Sequence, residues 1–564
     1  MTASPALSRP RGKLVPDLIA GLTTSLVTIP DGMASAVLAG LNPVQGLYAL
    51  MVGTPLAALT SSSQFMYVAN TGALAVATGS ALAAYSGDRL LPALVVLVIL
   101  VGLLQLALGL LKAGGIVRFI SNGVLVGFMT GIALLIILGQ LGDFTGYHSE
   151  YSNKVVKAID LVLHIGQIDL QATTIGVTAI LLIIVLNRTP LAKFNMIIAL
   201  IGASLLAALL GWTDVELIKD IADIPSGLGS FPRPVLPDIT LIPELLPSAF
   251  AVAIIGLVQA SGVSKSVPNP DGSYSDVSRD FTAQGLANTA AGFFQGMPIG
   301  GTMSETAVNV KAGAQSRWAN VFSGIFIIVA VMVFGSFIEY LAMPAIAALL
   351  IVAGYEAIKP DNIKAVWDTG WAPRLIMAAT LVATLILPVQ QAVLFGVVVA
   401  TLQYIYSASV DVHIVELRAL GSASFEELPA PSQLAPRQVI VLQVYGSLFY
   451  AAAAQIERLL PSVRDAEGAV LILRLRGVQQ VGSTFVNIVE RYAARLHAEG
   501  GDLLLAEVSE PVYRQFVRTE TVALVGEGSV FMAEPDLFAA TRQALAAAET
   551  MVQAETRNHS KANR

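Results

Sequence analysis

Two short segments, Tyr67-Val-Ala-Asn-Thr-Gly-Ala73 and Met297-Pro-Ile-Gly-Gly-Thr-Met-Ser-Glu-Thr-Ala-Val-Asn309, set amides, hydroxyls and an acid inside apolar surroundings. Both are short and interrupted by glycine, and broken segments at matching places in the two halves of a membrane chain point to a transport site. A helix that begins inside the bilayer exposes free backbone N–H groups and a partial positive charge, which suits an anion. Irregular backbone at that depth needs a cavity lined by protein or water. Asn70, Thr71, Ser304 and Thr306 are therefore candidate N-caps or ligands, with Thr302 in the same cluster. Gly72 and Gly301 stand where a missing Cβ permits close backbone approach to a substrate. Glu305 adds an ionisable group to the second segment, and Asp31, in Thr28-Ile-Pro-Asp-Gly-Met33, places another in the first apolar run. An acid at such depth is a functional candidate by default. Pro30 and Gly32 predict a local break beside Asp31. The Gly123, Gly127, Gly131 series, by contrast, reads as close helix packing.

These groups need a membrane bundle to hold them. The chain has 564 residues, 55% hydrophobic and only 13% charged, an excess of apolar surface that needs lipid to face. A bilayer core of ~30 Å needs roughly 20 apolar residues, and such runs recur from Leu18 to Ser407. About fourteen spans are expected, the clearest at Leu91 to Leu111, Val124 to Leu141, Ile175 to Leu186, Met196 to Trp212, Ala249 to Val263, Val321 to Phe337 and Leu375 to Leu387. Arg9, Arg11 and Lys13 precede the first span. The later bases, among them Lys112, Arg118, Arg188, Lys265, Lys311 and Lys364, fall in alternate loops, which predicts that both termini are cytoplasmic. The expected location is a bacterial inner membrane, crossed many times.

After about Val410 the composition changes. Short β runs (Val439 to Val444, Ala469 to Leu473, Asp502 to Ala506) alternate with polar-faced helices (Ala452 to Leu460, Phe485 to His497, Pro535 to Ala547). The expected layout is a transmembrane transport domain over 1–409, a linker over 410–437, a cytoplasmic α/β domain over 438–553 and a disordered tail over 554–564.

Several function classes fall away. No cysteine is present and five histidines are scattered without ligand spacing, so no catalytic or structural metal set and no thiol nucleophile is expected. No Gly-rich loop ends in Gly-Lys-Ser/Thr, so no ATP site drives transport, and no cofactor is expected. The net charge of -6 excludes a nucleic-acid partner. What remains is solute movement, passive or driven by an ion gradient.

Pro30-Asp-Gly-Met-Ala-Ser-Ala-Val-Leu-Ala-Gly-Leu-Asn-Pro-Val-Gln-Gly-Leu-Tyr48, Arg118-Phe-Ile-Ser121, Gln284-Gly-Leu-Ala-Asn288 and Ser304-Glu-Thr-Ala-Val-Asn309 resemble signatures of the SulP (sulfate permease) anion transporters. The C-terminal domain resembles their STAS module. The resemblance spans nearly the whole chain. It implies an all-α membrane domain of fourteen segments in two inverted repeats of seven, a core bundle moving elevator-fashion against a gate bundle, and a homodimer. Its site implies Asp31 on the first segment, Thr71 and Gly72 on the third, Gln259 on the eighth, and Ser304, Glu305 and Thr306 on the tenth.

The departures carry information. Many members of that family have Gln in place of Asp31, an aromatic near Ser35, a carboxylate at Gln259 and often Arg at Glu305. Here the base is absent and two acids appear, so an anion must rely on helix ends and hydroxyls. Asp31 and Glu305 are the expected coupling residues, holding a proton or a cation such as Na⁺. The expected function is H⁺- or Na⁺-coupled symport of a small inorganic or organic anion: bicarbonate, sulfate or a dicarboxylate. Three alternatives stay open at this level: a neutral or cationic solute, an uncoupled channel, or a membrane sensor signalling to a cytoplasmic protein through STAS. In Val478-Gln-Gln-Val-Gly-Ser-Thr-Phe485, Gly482 replaces the Asp of related phosphorylated domains, so Ser483 and Thr484 are expected to cap a helix.

Overall fold

The computed structural model describes residues 14–113, 121–151, 153–221, 231–421 and 424–562. Arg9, Arg11, Lys13 and Arg118 lie outside them. The described chain forms two compact units, Met1–Ala400 and Thr401–Arg564.

In the first unit the helices are α1 (Leu14–Leu38), α2 (Pro43–Thr60), α3 (Gly72–Leu82), α4 (Leu90–Leu110), α5 (Asn122–Thr145), α6 (Lys154–Leu163), α7 (Leu170–Leu186), α8 (Asn195–Leu209) and α9 (Ile218–Ile221). They continue with α10 (Ile242–Ser266), α11 (Val277–Phe293), α12 (Met303–Lys311), α13 (Trp318–Ile338), α14 (Met343–Ala357), α15 (Pro360–Thr369), α16 (Trp371–Ile386) and α17 (Val389–Val410). Two three-residue strands, β1 (Tyr67–Ala69) and β2 (Gly300–Thr302), precede α3 and α12. The expected spans coincide with α4, α5, α7, α8, α10, α13 and α16, because uninterrupted apolar runs leave the backbone no partner in lipid except its own helix. Among the described residues six helices are long and apolar enough to cross a bilayer, and four shorter apolar helices accompany them. Fewer qualify than the spans read from the sequence because α3 and α12 are halved by their strands, and α1 and α11 carry polar groups along their lengths. The predicted break at Pro30 does not occur. α1 runs unbroken through it, which places Asp31 well inside a helix.

The second unit holds a six-stranded mixed sheet in the order β4-β3-β5-β6-β7-β8. Its strands are β3 (His413–Ala419), β4 (Phe425–Pro429), β5 (Val439–Tyr445), β6 (Val470–Arg474), β7 (Asp502–Val508) and β8 (Val530–Met532). β5 to β8 run parallel, while β3 lies antiparallel to β4 and β5. Segment 410–437, expected to be a linker, instead supplies β3 and β4. Its alternation of charged and apolar residues, Glu416 and Arg418 against Val415 and Leu417, suits an edge hairpin. The final helix, Ala539–Ala562, extends through most of the tail expected to be disordered. Gly482, rather than Ser483 or Thr484, is the N-cap of helix Ser483–Ala498.

A truncation after Ser409 should stay monodisperse in detergent, because it keeps essentially all of α17 and the hydrophobic clusters of the first unit, which among the described residues reach no further than Ala400. Size-exclusion chromatography beside the full chain checks this, and aggregation of the truncated protein alone would make the second unit a structural requirement.

Candidate functional site

The site is built on a strand crossing. β1 and β2 pair antiparallel, Tyr67 opposite Thr302, Val68 opposite Gly301 and Ala69 opposite Gly300. In this register α3 and α12 leave from opposite ends of the pair, with their N-termini flanking it. Both helices are short because their chains spend the preceding residues crossing each other. The crossing is held from all sides. Thr54 Oγ1 donates to Val68 O at 2.6 Å, Tyr67 N–H donates to Thr306 Oγ1 at 2.9 Å, and Asn320 Nδ2 donates to Met66 O at 2.9 Å. Asn288 grips the other strand, donating to Ile299 O and accepting from Ile299 N–H, both at 2.8 Å.

Thr71 is the N-cap of α3, accepting from Leu74 N–H at 3.2 Å, and its hydroxyl donates to Gln259 Oε1 on α10 at 3.1 Å. Two residues expected at the site from different halves of the chain are thus joined directly. Glu305 lies in the first turn of α12, buried, accepting from Ser304 Oγ at 3.1 Å. Asp31 on α1 lies close enough for its carboxyl to interact with that of Glu305. Asn70 is buried with neither amide atom hydrogen-bonded, and a Cβ on Gly32 would stand 3.4 Å from its Oδ1, which sets the amide beside Asp31's neighbour.

Other expected residues take different parts. Thr306 is fully buried, its hydroxyl engaged with Tyr67 N–H and Thr302 O, so it braces the crossing. Thr302 is the N-cap of α12 without a side-chain capping bond, and its hydroxyl donates to Tyr67 O at 3.4 Å. Ser304 is exposed. Gly301 faces α10, where an added Cβ would fall 2.9 Å from Ala260 Cα, and Gly72 faces α5, where it would fall 2.5 Å from Ile136 Cδ1. Both glycines therefore serve the packing of helix and strand, whereas the sequence suggested an approach to substrate. Gly301→Val should lower uptake at least about tenfold, since backbone must move, while Gly72→Ala should cost less because the end of the Ile136 side chain can swing away. Initial rates of both variants, compared on monodisperse protein, test the difference.

Beside the site lies a small cleft of about 20 Å³ lined by Val124, Leu125, Phe128 and Met129 of α5, Ile254, Ile255, Val258 and Gln259 of α10, and Val393 of α17. Gln259 is its one polar residue and is the same residue that holds the α3 N-cap.

Sequence reasoning missed what fixes the crossing at its ends. Asp280 on α11, fully buried, accepts from Ser61 Oγ (2.7 Å), Ser62 N–H (2.8 Å), Ser62 Oγ (2.7 Å), Ser63 N–H (3.1 Å) and Ser264 Oγ (2.7 Å). Arg317 donates to the carbonyls of Leu59 and Ser61 at the end of α2. The residues between α2 and β1 are thus tied to the second half of the chain.

Residues 14–380 match the sulfate permease family, and residues 432–536 match the STAS domain. The chain belongs to the sulfate permease family. It is 25% identical over 501 residues to the putative sulfate transporter YvdB of Bacillus subtilis, covering 87% of this chain and 91% of that one. Its fold resembles that of the murine Solute Carrier 26 family member A9 anion transporter in the inward-facing state, with a TM-score of 0.81, 18% identity and coverage of 96% and 92%. It also resembles the transmembrane domain of a cyanobacterial bicarbonate transporter, BicA, with a TM-score of 0.58, 20% identity and coverage of 70% and 98%. Membership makes this a multi-pass membrane transporter and not an enzyme, with a helical membrane domain and a C-terminal STAS domain.

Proposed function

We propose that this permease is a proton-coupled symporter of small anions, working by movement of a core bundle against a gate bundle. The observation that carries the reading is the strand crossing, which aims two helix N-termini at a site where the Asp31 and Glu305 carboxyls meet. The helix ends favour an anion. Two neighbouring carboxyls in a poorly hydrated site favour a proton or a cation between them, and the reading takes a proton as the coupling ion. Sulfate and bicarbonate are the substrate classes that the relatives' names bring into consideration, with dicarboxylates kept from the family resemblance alone. The element order supports fourteen segments in two sevens, α1 to α8 and α10 to α17, with α6, α9 and α15 outside the count, since each half runs helix, helix, strand and half-helix in turn. The apolar cleft between α5, α17 and α10 suits a sliding interface between the bundles. A homodimer in a bacterial inner membrane with cytoplasmic termini completes the proposal, STAS offering a surface for a protein partner.

Reconstituted protein should concentrate anion when the outside is acidified, and a protonophore should abolish the accumulation. Uptake that follows a Na⁺ gradient and ignores pH would replace the proton by sodium. Absence of any uptake from well-incorporated protein would favour a sensor.

A further inference from the structure

The strand crossing is only as fixed as the helices behind it, and one side chain on α4 reaches the supports of both its helix ends. We infer that Gln105 is a positioning residue for the transport site: it ties α10, which holds the α3 N-terminus, to β2, which leads into α12, and so sets the spacing between the two helix ends. This rests on the reading above of the crossing as the anion site.

α4 and α11 pack backbone against backbone. A Cβ on Gly102 would stand 2.3 Å from Thr289 N, and one on Gly285 would stand 2.3 Å from Leu106 N, an approach that only glycine permits. This closeness brings Gln105 and Asn288, both fully buried, within hydrogen-bond distance. Asn288 Nδ2 donates to Gln105 Oε1 at 2.8 Å, and Gln105 Nε2 donates to Ala253 O on α10 at 3.3 Å. The remaining bonds of Asn288 go to the Ile299 peptide, one to its carbonyl and one from its N–H. Both amides therefore have a fixed orientation, because reversing either would set donor against donor and acceptor against acceptor.

From this pair the contacts divide. Through Ala253 they reach α10, whose Gln259 accepts from Thr71, the N-cap of α3. Through Asn288 they reach Ile299, the residue before β2, and β2 ends at Thr302, the N-cap of α12. β2 itself passes close to α10, where a Cβ on Gly300 would lie 3.3 Å from Gln259 Oε1. The two helix ends that offer N–H groups to an anion thus share one anchor, and an apolar residue at 105 would cut the tie between their supports. Gln284 provides the contrast. It lies one turn from Asn288 on α11, is equally buried, and neither atom of its amide is hydrogen-bonded among the described residues. It fills space but ties nothing.

The test uses full-length protein and compares Gln105→Leu with Gln284→Leu, two equal replacements of a buried amide. Exchange of labelled for unlabelled sulfate across liposomes, or of bicarbonate where the parent prefers it, gives KM and maximal rate. Gln105→Leu should raise KM about tenfold with the maximal rate within about twofold, since a lost hydrogen bond loosens where the helix ends sit and not how the bundle moves. Hydrogen–deuterium exchange in detergent should show the amides of 299–302 opening about tenfold faster. Gln284→Leu should leave both readings at the parent's values. Gly256→Ala is a milder form of the same disturbance, because its Cβ would fall 2.8 Å from Gln105 Nε2 and push that amide aside. It should raise KM about threefold, and it carries the test if Gln105→Leu does not fold. A parental KM in Gln105→Leu or in Gly256→Ala, or equal shifts in Gln105→Leu and Gln284→Leu, would overturn this inference and leave the transporter standing. Exchange of neither anion by correctly inserted parent protein would overturn the anion-site reading and this inference with it.

Discussion

Glu305→Gln should uncouple uptake from the pH gradient while leaving anion exchange within a few-fold of the parent protein. In the parent, a gradient of about one pH unit drives roughly tenfold accumulation when one proton accompanies each anion. That energy enters only if the site gains and loses a proton as it loads and unloads. An amide at 305 can still accept from Ser304 Oγ and donate toward Asp31, but it cannot take up or release a proton. Accumulation should therefore fall to the level set by diffusion, while exchange of labelled for unlabelled anion, which needs only the loaded carrier, persists. Asp31→Asn should behave alike, since the pair and not either acid alone holds the proton. Undiminished gradient-driven accumulation in both variants would return Glu305 to the role of an acid that merely stabilises a helix N-terminus.

Asp31 and Glu305 stood out in the sequence because an acid within an apolar run is a functional candidate in lipid. The half-helices were legible for a related reason: Gly300, Gly301 and Thr302, like Asn70, Thr71 and Gly72, break a hydrophobic run at a depth where broken backbone needs support. What the sequence concealed is the identity of that support. Asp280 and Asn288 sit in segments that read as ordinary helix, and their partners at Ser61 to Ser63 and at Ile299 are declared only by the fold, in the first case some 200 residues away. Long-range polar pairing has no periodicity to betray it. The packing neighbours of Gly72 and Gly301 were hidden for the same reason, since a glycine demands closeness without naming the neighbour, and here they are Ile136 and Ala260. In the second unit, the edge hairpin of β3 and β4 was hidden by its charged, exposed face, which is also what protects such an edge from pairing with another sheet.

Asp280→Ala should be the most damaging substitution in the first unit. The carboxylate takes five hydrogen bonds from Ser61, Ser62, Ser63 and Ser264, and it is wholly removed from solvent. Alanine would leave the Ser62 N–H and three hydroxyls without their carboxylate acceptor, while the Ser63 N–H keeps Ser61 Oγ at 3.1 Å. The hydroxyls can rotate toward local carbonyls, but the Ser62 N–H is fixed by the chain. With an unsatisfied buried group costing about 1–3 kcal/mol, a loss of that order is expected, enough to lower the melting temperature of the detergent-purified protein. Asp280→Asn keeps one acceptor oxygen and should lie between alanine and the parent. Because the Ser61 to Ser63 segment leads directly into β1, loosening it also lets the α3 N-terminus drift from Gln259 on α10. The asparagine variant, if folded, should therefore show a raised KM for the anion with a smaller change in maximal rate, since binding depends on where the helix end sits and bundle movement does not. A melting curve of Asp280→Ala superimposable on the parent would show that the serine segment finds other acceptors, and that the crossing is held by Asn288, Asn320 and Thr54 alone.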